Sequence, residues 1–343
     1  MNKSLSRALK LGAAAIATVV AVSGLTGCAK ETTPATGEQT LTIYSGRSEE
    51  LVAPLYEQFT EETGIAVEVR YAGSAELAAQ ILEEGDNVQA DVFFSQDAGA
   101  LGALTEAGAF KTLNSDITDM VEAKYRATDN SWVGVSGRSR VIAYNPELIS
   151  EDELPASVLD LANPEWKGKV GIAPSNASFQ SFVTALRVLK GEKVATEWLA
   201  AMKENAVLYE KNDQIIVAIN DGKLATGLLN HYYLYELETE LGATTVVAKL
   251  HWFESGDVGN LINVAGVGVL SDKPEAQTFA KWLLGESAQN YFVDKTSEYS
   301  LTGLPAREWL PSIEEIGSPE IDLSALAPLA ATLELIRQAG LTD

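Results

Sequence analysis

What most constrains the fold of this chain is the alternation of two periodicities between residues 41 and 106. Residues 41–45, Leu-Thr-Ile-Tyr-Ser, alternate apolar with polar side chains and are rich in strand-forming types, which predicts a strand. Residues 51–63 repeat apolar positions at helical spacing and stop at Gly64, a residue suited to the left-handed turn that ends a helix. A second strand follows over 66–70, Ser74 reads as the cap of a helix over 75–84, and a third strand over 90–94 precedes a helix over 98–106. Strands alternating with helices at this spacing build right-handed crossover units, so the expected class is α/β with a mainly parallel sheet flanked by helices.

Residues 132–144 break that rhythm, with extended segments around a glycine and no intervening helix, and are predicted to cross from one lobe to another. Beyond them the pattern gives a strand over 169–174 and helices over 179–189, 194–203 and 214–220. Strands are expected over 224–229, 244–250 and 260–270, the last returning to the first lobe. A long helix beginning with 274–284 and an amphipathic one over 325–339 complete the chain. Roughly 300 residues are enough for two lobes with separate cores.

The amino terminus is of a different kind. Lys3, Arg7 and Lys10 precede an apolar run over 11–22, which ends in Leu25-Thr26-Gly27-Cys28. That is the pattern of a bacterial signal peptide, residues 1–27, closing on a lipobox-like site. Cys28 would become the new N-terminus and carry lipid, anchoring the chain to the outer face of a membrane without spanning it. Residues 28–39, rich in Thr, Pro, Ala and Gly, read as a flexible tether. Cys28 is the only cysteine, so no intrachain disulfide, thiolate metal site or cysteine nucleophile is available. A formal net charge of -23 argues against nucleic acid as a partner and provides a field that attracts cations; a monomer is expected.

The candidate chemistry lies at Asn230-His231-Tyr232-Tyr233. Asn230 reads as a helix N-cap after an apolar strand, followed by Leu234, Leu237 and Leu241 at helical spacing. Adjacent side chains at a helix start stand only about 100° apart, so the phenols of Tyr232 and Tyr233 can lean toward one point. In open α/β sheets that point, past the carboxyl end of a strand, is where ligands collect. A phenol with a pKa of about 10 becomes a ligand at neutral pH only for a strongly acidic, hard cation such as ferric ion. The same dipeptide could equally be an amphipathic pair at the edge of a core. The two histidines, His231 and His251, are too few for a histidine-rich metal site, Tyr235 is expected to pack, and Glu254 and Asp257 are expected to be solvated. No Gly-x-Ser-x-Gly elbow, phosphate-binding Gly-x-x-x-x-Gly-Lys loop or His-Glu-x-x-His helix occurs, which leaves a secreted hydrolase the least favoured reading.

Several segments in order resemble the ferric-ion-binding proteins of bacterial iron ABC transporters. They are Ile43-Tyr44-Ser45-Gly46, Ala90-Asp91-Val92-Phe93, Ser136-Gly137-Arg138-Ser139-Arg140-Val141, Pro164-Glu165-Trp166-Lys167, Lys211-Asn212, Asn230 to Tyr233, and Gln338-Ala339-Gly340. The resemblance implies a two-lobed periplasmic-binding-protein-like fold of type II, with residues 40–139 plus 263–312 in lobe 1 and 140–262 plus 313–343 in lobe 2. It implies Fe(3+) as cargo, bound by the phenolates of Tyr232 and Tyr233, and delivery to an ABC permease with its ATPase subunit. It also implies a synergistic anion (carbonate, phosphate or citrate) held by Ser175, Asn176, Ala177, Ser178, Asn212 and Asn230.

Two positions depart from the family. Ser48 stands where a histidine ligand is expected, and Gln96 where a glutamate is, with Asp97 one position later. Ser48, Gln96 and Asp97 are therefore the first-lobe candidates, alongside an arginine-held anion. Arg138 and Arg140 could grip such an anion bidentately or brace the hinge through carboxylates. The expectation is an extracytoplasmic, lipid-anchored receptor; the alternative is a receptor for an oxyanion or small organic ligand.

Overall fold

The structure is a computed structural model and describes residues 40–342. The leader, Cys28 and the tether lie outside the described residues. Ten strands are defined among them. In chain order they are β1 (Thr40–Ser45), β2 (Ala66–Tyr71), β3 (Val92–Ser95), β4 (Trp132–Tyr144), β5 (Val170–Ile172), β6 (Ala206–Leu208), β7 (Thr226–Asn230), β8 (Lys249–His251), β9 (Ile262–Val269) and β10 (Tyr299–Ser300). Neighbours run β2-β1-β3-β9-β4-β7-β5-β6, with β8 and β10 also paired to β4.

The expected crossover units form the two outer parts of this array. β1 pairs in parallel with β2 and β3, and β5 pairs in parallel with β6 and β7. The connecting strands run the other way: β9 is antiparallel to β3 and β4, and β4 is antiparallel to β7. β4 is one strand, not two segments. Its residues up to Ser139 pair with β9, and from Arg140 onward they pair with β7. All 13 of its residues are buried, because both parts of the sheet and their helices close over it. A bulge between Gly134 and Ser136 shifts the register there.

Helices complete the two layers. Glu49–Thr63 ends at Gly64 with φ 74°, the left-handed closure anticipated from sequence. Its Phe59 packs edge-on against Phe279 and Trp282, at 5.0 and 5.3 Å between ring centres. In the other half, Phe182 of Ala177–Lys190 meets Trp198 of Glu192–Asn205 edge-on at 5.4 Å. The cores are not separate as expected. One buried cluster runs from Leu41 to Leu341 through both halves, and a smaller one surrounds Val141, Ile215, Leu229 and Leu237.

Other local expectations are corrected. Ser74 is the first residue of the helix Ser74–Glu84 and does not cap it; its hydroxyl accepts the backbone N–H of Gln96 at 2.9 Å. The strand expected over 244–250 shrinks to β8, because Thr245 turns back to bond the carbonyls of Leu241 and Gly242 and Val247 N–H is taken by Asn220. The long helix after 274 is two, Pro274–Leu283 and Glu286–Lys295, interrupted at Gly285. The last helix is Leu329–Gln338, its start set by Pro328.

Candidate metal and anion site

β7 ends at Asn230, and the chain turns at once into the helix Tyr232–Leu241. Asn230 is not the cap. It pairs with Arg140 across the sheet, and the capping position is held by His231, already helical at φ -55° and ψ -36°. The ladder with β4 takes Asn230 as its last rung, so the helix begins later than its residue type suggests. The rings of Tyr232 and Tyr233 lie 4.4 Å apart at 33°. Both line a cavity of about 730 Å³, together with Arg47, Ser48 and Gln96 from one half and Asn176 and Lys211 from the other.

Burial pushes both phenols above their ordinary pKa; Arg138 and Arg47 draw Tyr232 partly back down, while Tyr232 pushes Tyr233 further up. Both are therefore neutral near pH 7 unless a cation displaces their protons.

Three buried arginines surround the pair, and they are not equivalent. Arg47 donates to Glu298 Oε2 at 2.9 Å, and Arg138 lies 3.8 Å from Glu298 Oε1 while its other nitrogen donates to the Gln96 carbonyl. Glu298 also accepts from Ser136 and Thr296, and the two guanidiniums hold it below the usual carboxylate range despite its burial. Arg138 thus braces the crossing through a carboxylate. Arg140 has no carboxylate partner among the described residues. Its guanidinium lies over Phe179 and Phe182 at 5.5 and 5.1 Å and reaches Ser178 Oγ at 3.4 Å. Its Nε is buried without a partner, and burial draws its pKa down to about 9. A guanidinium still charged and uncompensated at neutral pH fits an anion.

The polar groups beside it point the same way. Asn176 caps the helix Ala177–Lys190, its Oδ1 accepting Ser178 N–H at 2.9 Å and Ser178 Oγ–H at 2.6 Å. Asn212 Nδ2 reaches the same Ser178 oxygen at 3.4 Å, while Asn212 Oδ1 and Asn230 Nδ2 are buried without partners. Ala177 is the first helical residue, and Ser175 is exposed with its hydroxyl donating to the Glu210 carbonyl at 3.2 Å.

The first-half candidates differ. Ser48 is exposed on the cavity lining, at the start of Glu49–Thr63, with no capping bond from its side chain. Gln96 also borders the cavity. Asp97 does not. It is 1% exposed and caps the helix Ala98–Glu106, accepting from Ala100 N–H at 3.1 Å and Ser181 Oγ at 3.0 Å. Both bonds go to Oδ1 and set the carboxylate into the helix cap, away from the cavity lining.

His231 is fully buried: Nδ1 accepts Ser139 N–H at 3.2 Å and Nε2 donates to the Ser297 carbonyl at 2.7 Å, with burial pushing its pKa down to about 4. Tyr235 also lines the cavity, its ring 3.8 Å from that of Trp309 and tilted by 38°. Asp257 is not a solvated loop residue; it accepts from Val158 N–H and Gly259 N–H at 3.2 and 2.7 Å. Arg47, Glu298 and Glu236 were not singled out from the sequence. Arg47 stands 251 positions from its carboxylate partner, a separation that leaves no local pattern.

Two sheet-and-helix halves joined by antiparallel crossing strands, with a cavity between them lined from both sides, define the class: a two-lobed binding protein of the periplasmic type. Residues 87–312 match the family of bacterial extracellular solute-binding proteins, and the chain belongs to it. It is 35% identical to the Fe(3+)-binding periplasmic protein of Serratia marcescens, over 90% of this chain and 92% of that one. It is 33% identical to the major ferric iron-binding protein of Neisseria meningitidis, over 90% and 95%. Iron-bound HitA from Pseudomonas aeruginosa superposes with a TM-score of 0.85 at 34% identity, covering 88% of this chain and 99% of that one. A Trichodesmium protein solved with iron and citrate gives a TM-score of 0.73 at 28% identity, over 88% and 100%.

Proposed function

We propose that this protein captures ferric iron together with an oxyanion in the interlobe cavity and delivers it to an ABC permease driven by its ATPase subunit. The observation that carries this reading is the pair of adjacent phenols, Tyr232 and Tyr233, lining one cavity beside the uncompensated guanidinium of Arg140. Ferric ion is acid enough to take both phenols as phenolates, and an oxygen-donor set suits it. Arg140, Asn176, Ala177, Ser178, Asn212 and Asn230 form the cradle for carbonate, phosphate or citrate, with Ser175 at its edge. Ser48 and Gln96 face the cargo from the first lobe, as weak donors or through water, and Arg138 holds Gln96 in position. Residues 40–139 plus 263–312 and residues 140–262 plus 313–343 act as the two bodies that close on it. Cys28 carries the lipid that keeps the monomeric receptor on the outer face of the membrane. Relatives named for ferric iron binding support transport over catalysis.

Ferric salt with bicarbonate, phosphate or citrate should give a visible phenolate-to-iron charge-transfer band, and Tyr232→Phe or Tyr233→Phe should abolish or strongly shift it. A colourless protein at saturating ferric salt, with an unchanged melting temperature, would refute the proposal. The orphaned groups of Arg140 also favour a second reading, a receptor for an oxyanion alone. In that case phosphate without iron would raise the melting temperature as far as the two together.

A further inference from the structure

We infer that Glu236 is a direct, anionic donor to the bound cation, supplied from the tyrosine helix itself; this rests on the ferric reading above. Glu236 follows Tyr232 by four residues and Tyr233 by three, so all three side chains share one face of Tyr232–Leu241, and all three line the cavity. Across that cavity stand Arg47 and Ser48 from the loop after β1 and Gln96 from the end of β3. Glu236 is partly buried and makes no hydrogen bond or ion pair among the described residues. Its near neighbours Arg47 and Glu298 are committed to each other at 2.9 Å. Burial, and then the charge of Glu298, push its carboxyl up to about 7.

Charge decides the role. Two phenolates leave a trivalent ion with one positive charge uncompensated in a poorly solvated cleft. Arg140 has no other counter-charge and takes up one negative charge of the bound anion, so a singly charged bicarbonate or dihydrogen phosphate leaves the ion's last charge unmet. Gln96 and Ser48 are neutral, and Asp97 is committed to capping. Of the carboxylates lining the cavity, Glu50, Asp213, Glu240 and Asp294 are exposed and Glu236 is the partly buried one, and its single charge makes the coordinated ion neutral.

The test is ferric binding by the full-length mature protein with phosphate as anion, compared between wild type, Glu236→Gln and Glu238→Gln, a neighbour on the same helix that does not line the cavity. Glu236→Gln should lower ferric affinity, read by competition with a chelator, by about tenfold or more. It should also move the charge-transfer band to longer wavelength, because iron with one anionic donor fewer is more electron-poor. Glu238→Gln should leave affinity and band unchanged. Wild-type affinity and an unmoved band in Glu236→Gln would overturn the inference while the ferric reading stands. No band in the wild type would instead remove the ferric reading itself. Should Glu236→Gln fail to fold, the loaded-minus-apo infrared spectrum of the wild type answers the same question, since phosphate contributes no carboxylate. A carboxylate passing from free to metal-bound supports the inference, and its absence overturns it.

Discussion

The contrast between Arg138 and Arg140 shows how little a residue type says about its work until its partners are counted. Two positions apart on β4, one is matched to Glu298 and the other has only Ser178, the Leu228 carbonyl at 3.5 Å and two phenyl rings. A lone buried charge is costly, so Arg140→Met, which fills the same space without charge, should stabilise the apo protein by about 1–3 kcal/mol in urea unfolding. The same variant should lose the enhancement of iron binding by bicarbonate, phosphate or citrate. A less stable apo protein that still responds to the anion would show Arg140 to be only a structural strut. The tyrosines and both arginines were legible because each sits in a short motif of its own. Arg47, Glu298 and Glu236 were not: the first two acquire meaning from a pairing across 251 positions, and Glu236 from a cavity that no periodicity reveals. Asp97 caps a helix, a role that sequence does not separate from that of a cation donor, since a carboxylate beside a strand end suits both.

Among the elements, β4 joins the two parts of the sheet and sets where the tyrosine helix starts, since its residues up to Ser139 follow β9 and those from Arg140 follow β7. Its bulge leaves Gly134 against the Tyr125 carbonyl, where an added Cβ would stand 2.7 Å from that oxygen and 3.0 Å from a Leu301 methyl. Backbone cannot give as a flexible side chain does. Gly134→Ala should therefore cost about 1–3 kcal/mol in urea unfolding, whereas Gly73→Ala, with nothing within 4 Å of the new methyl, should stay within about 0.5 kcal/mol of wild type. Equal effects would mean that the crossing tolerates the strain. In sequence β4 looked like two segments because a glycine stands within it; its polar residues Ser136, Arg138, Ser139 and Arg140 are all buried. β6 and β10 escaped notice for a simpler reason: three residues and two carry no readable period.

At the scale of the whole molecule, cargo, fold and pH are linked through the same two phenols. Ser181 of the helix Ala177–Lys190 already bonds Asp97 at the end of β3 at 3.0 Å, so closing on an ion does not build an interface from nothing. A ligand that binds only the folded chain stabilises it by mass action, about 4 kcal/mol at a thousandfold excess over its dissociation constant. The sign of the pH effect follows from the protons. Burial keeps both phenols above their ordinary pKa, so they are protonated in the apo protein and must lose two protons when ferric ion binds. Lower pH therefore favours the apo state, and through the phenols alone affinity should fall by up to about a hundredfold per pH unit, or about 2.7 kcal/mol of the loaded protein's extra stability. The gap between the melting temperatures of loaded and apo protein should accordingly shrink from about pH 8 to about pH 6. Tyr233→Phe, with one phenol left to titrate, should show roughly half that slope wherever it still binds. A gap independent of pH would mean that the bound species displaces no protons, and therefore that it is not held by phenolates.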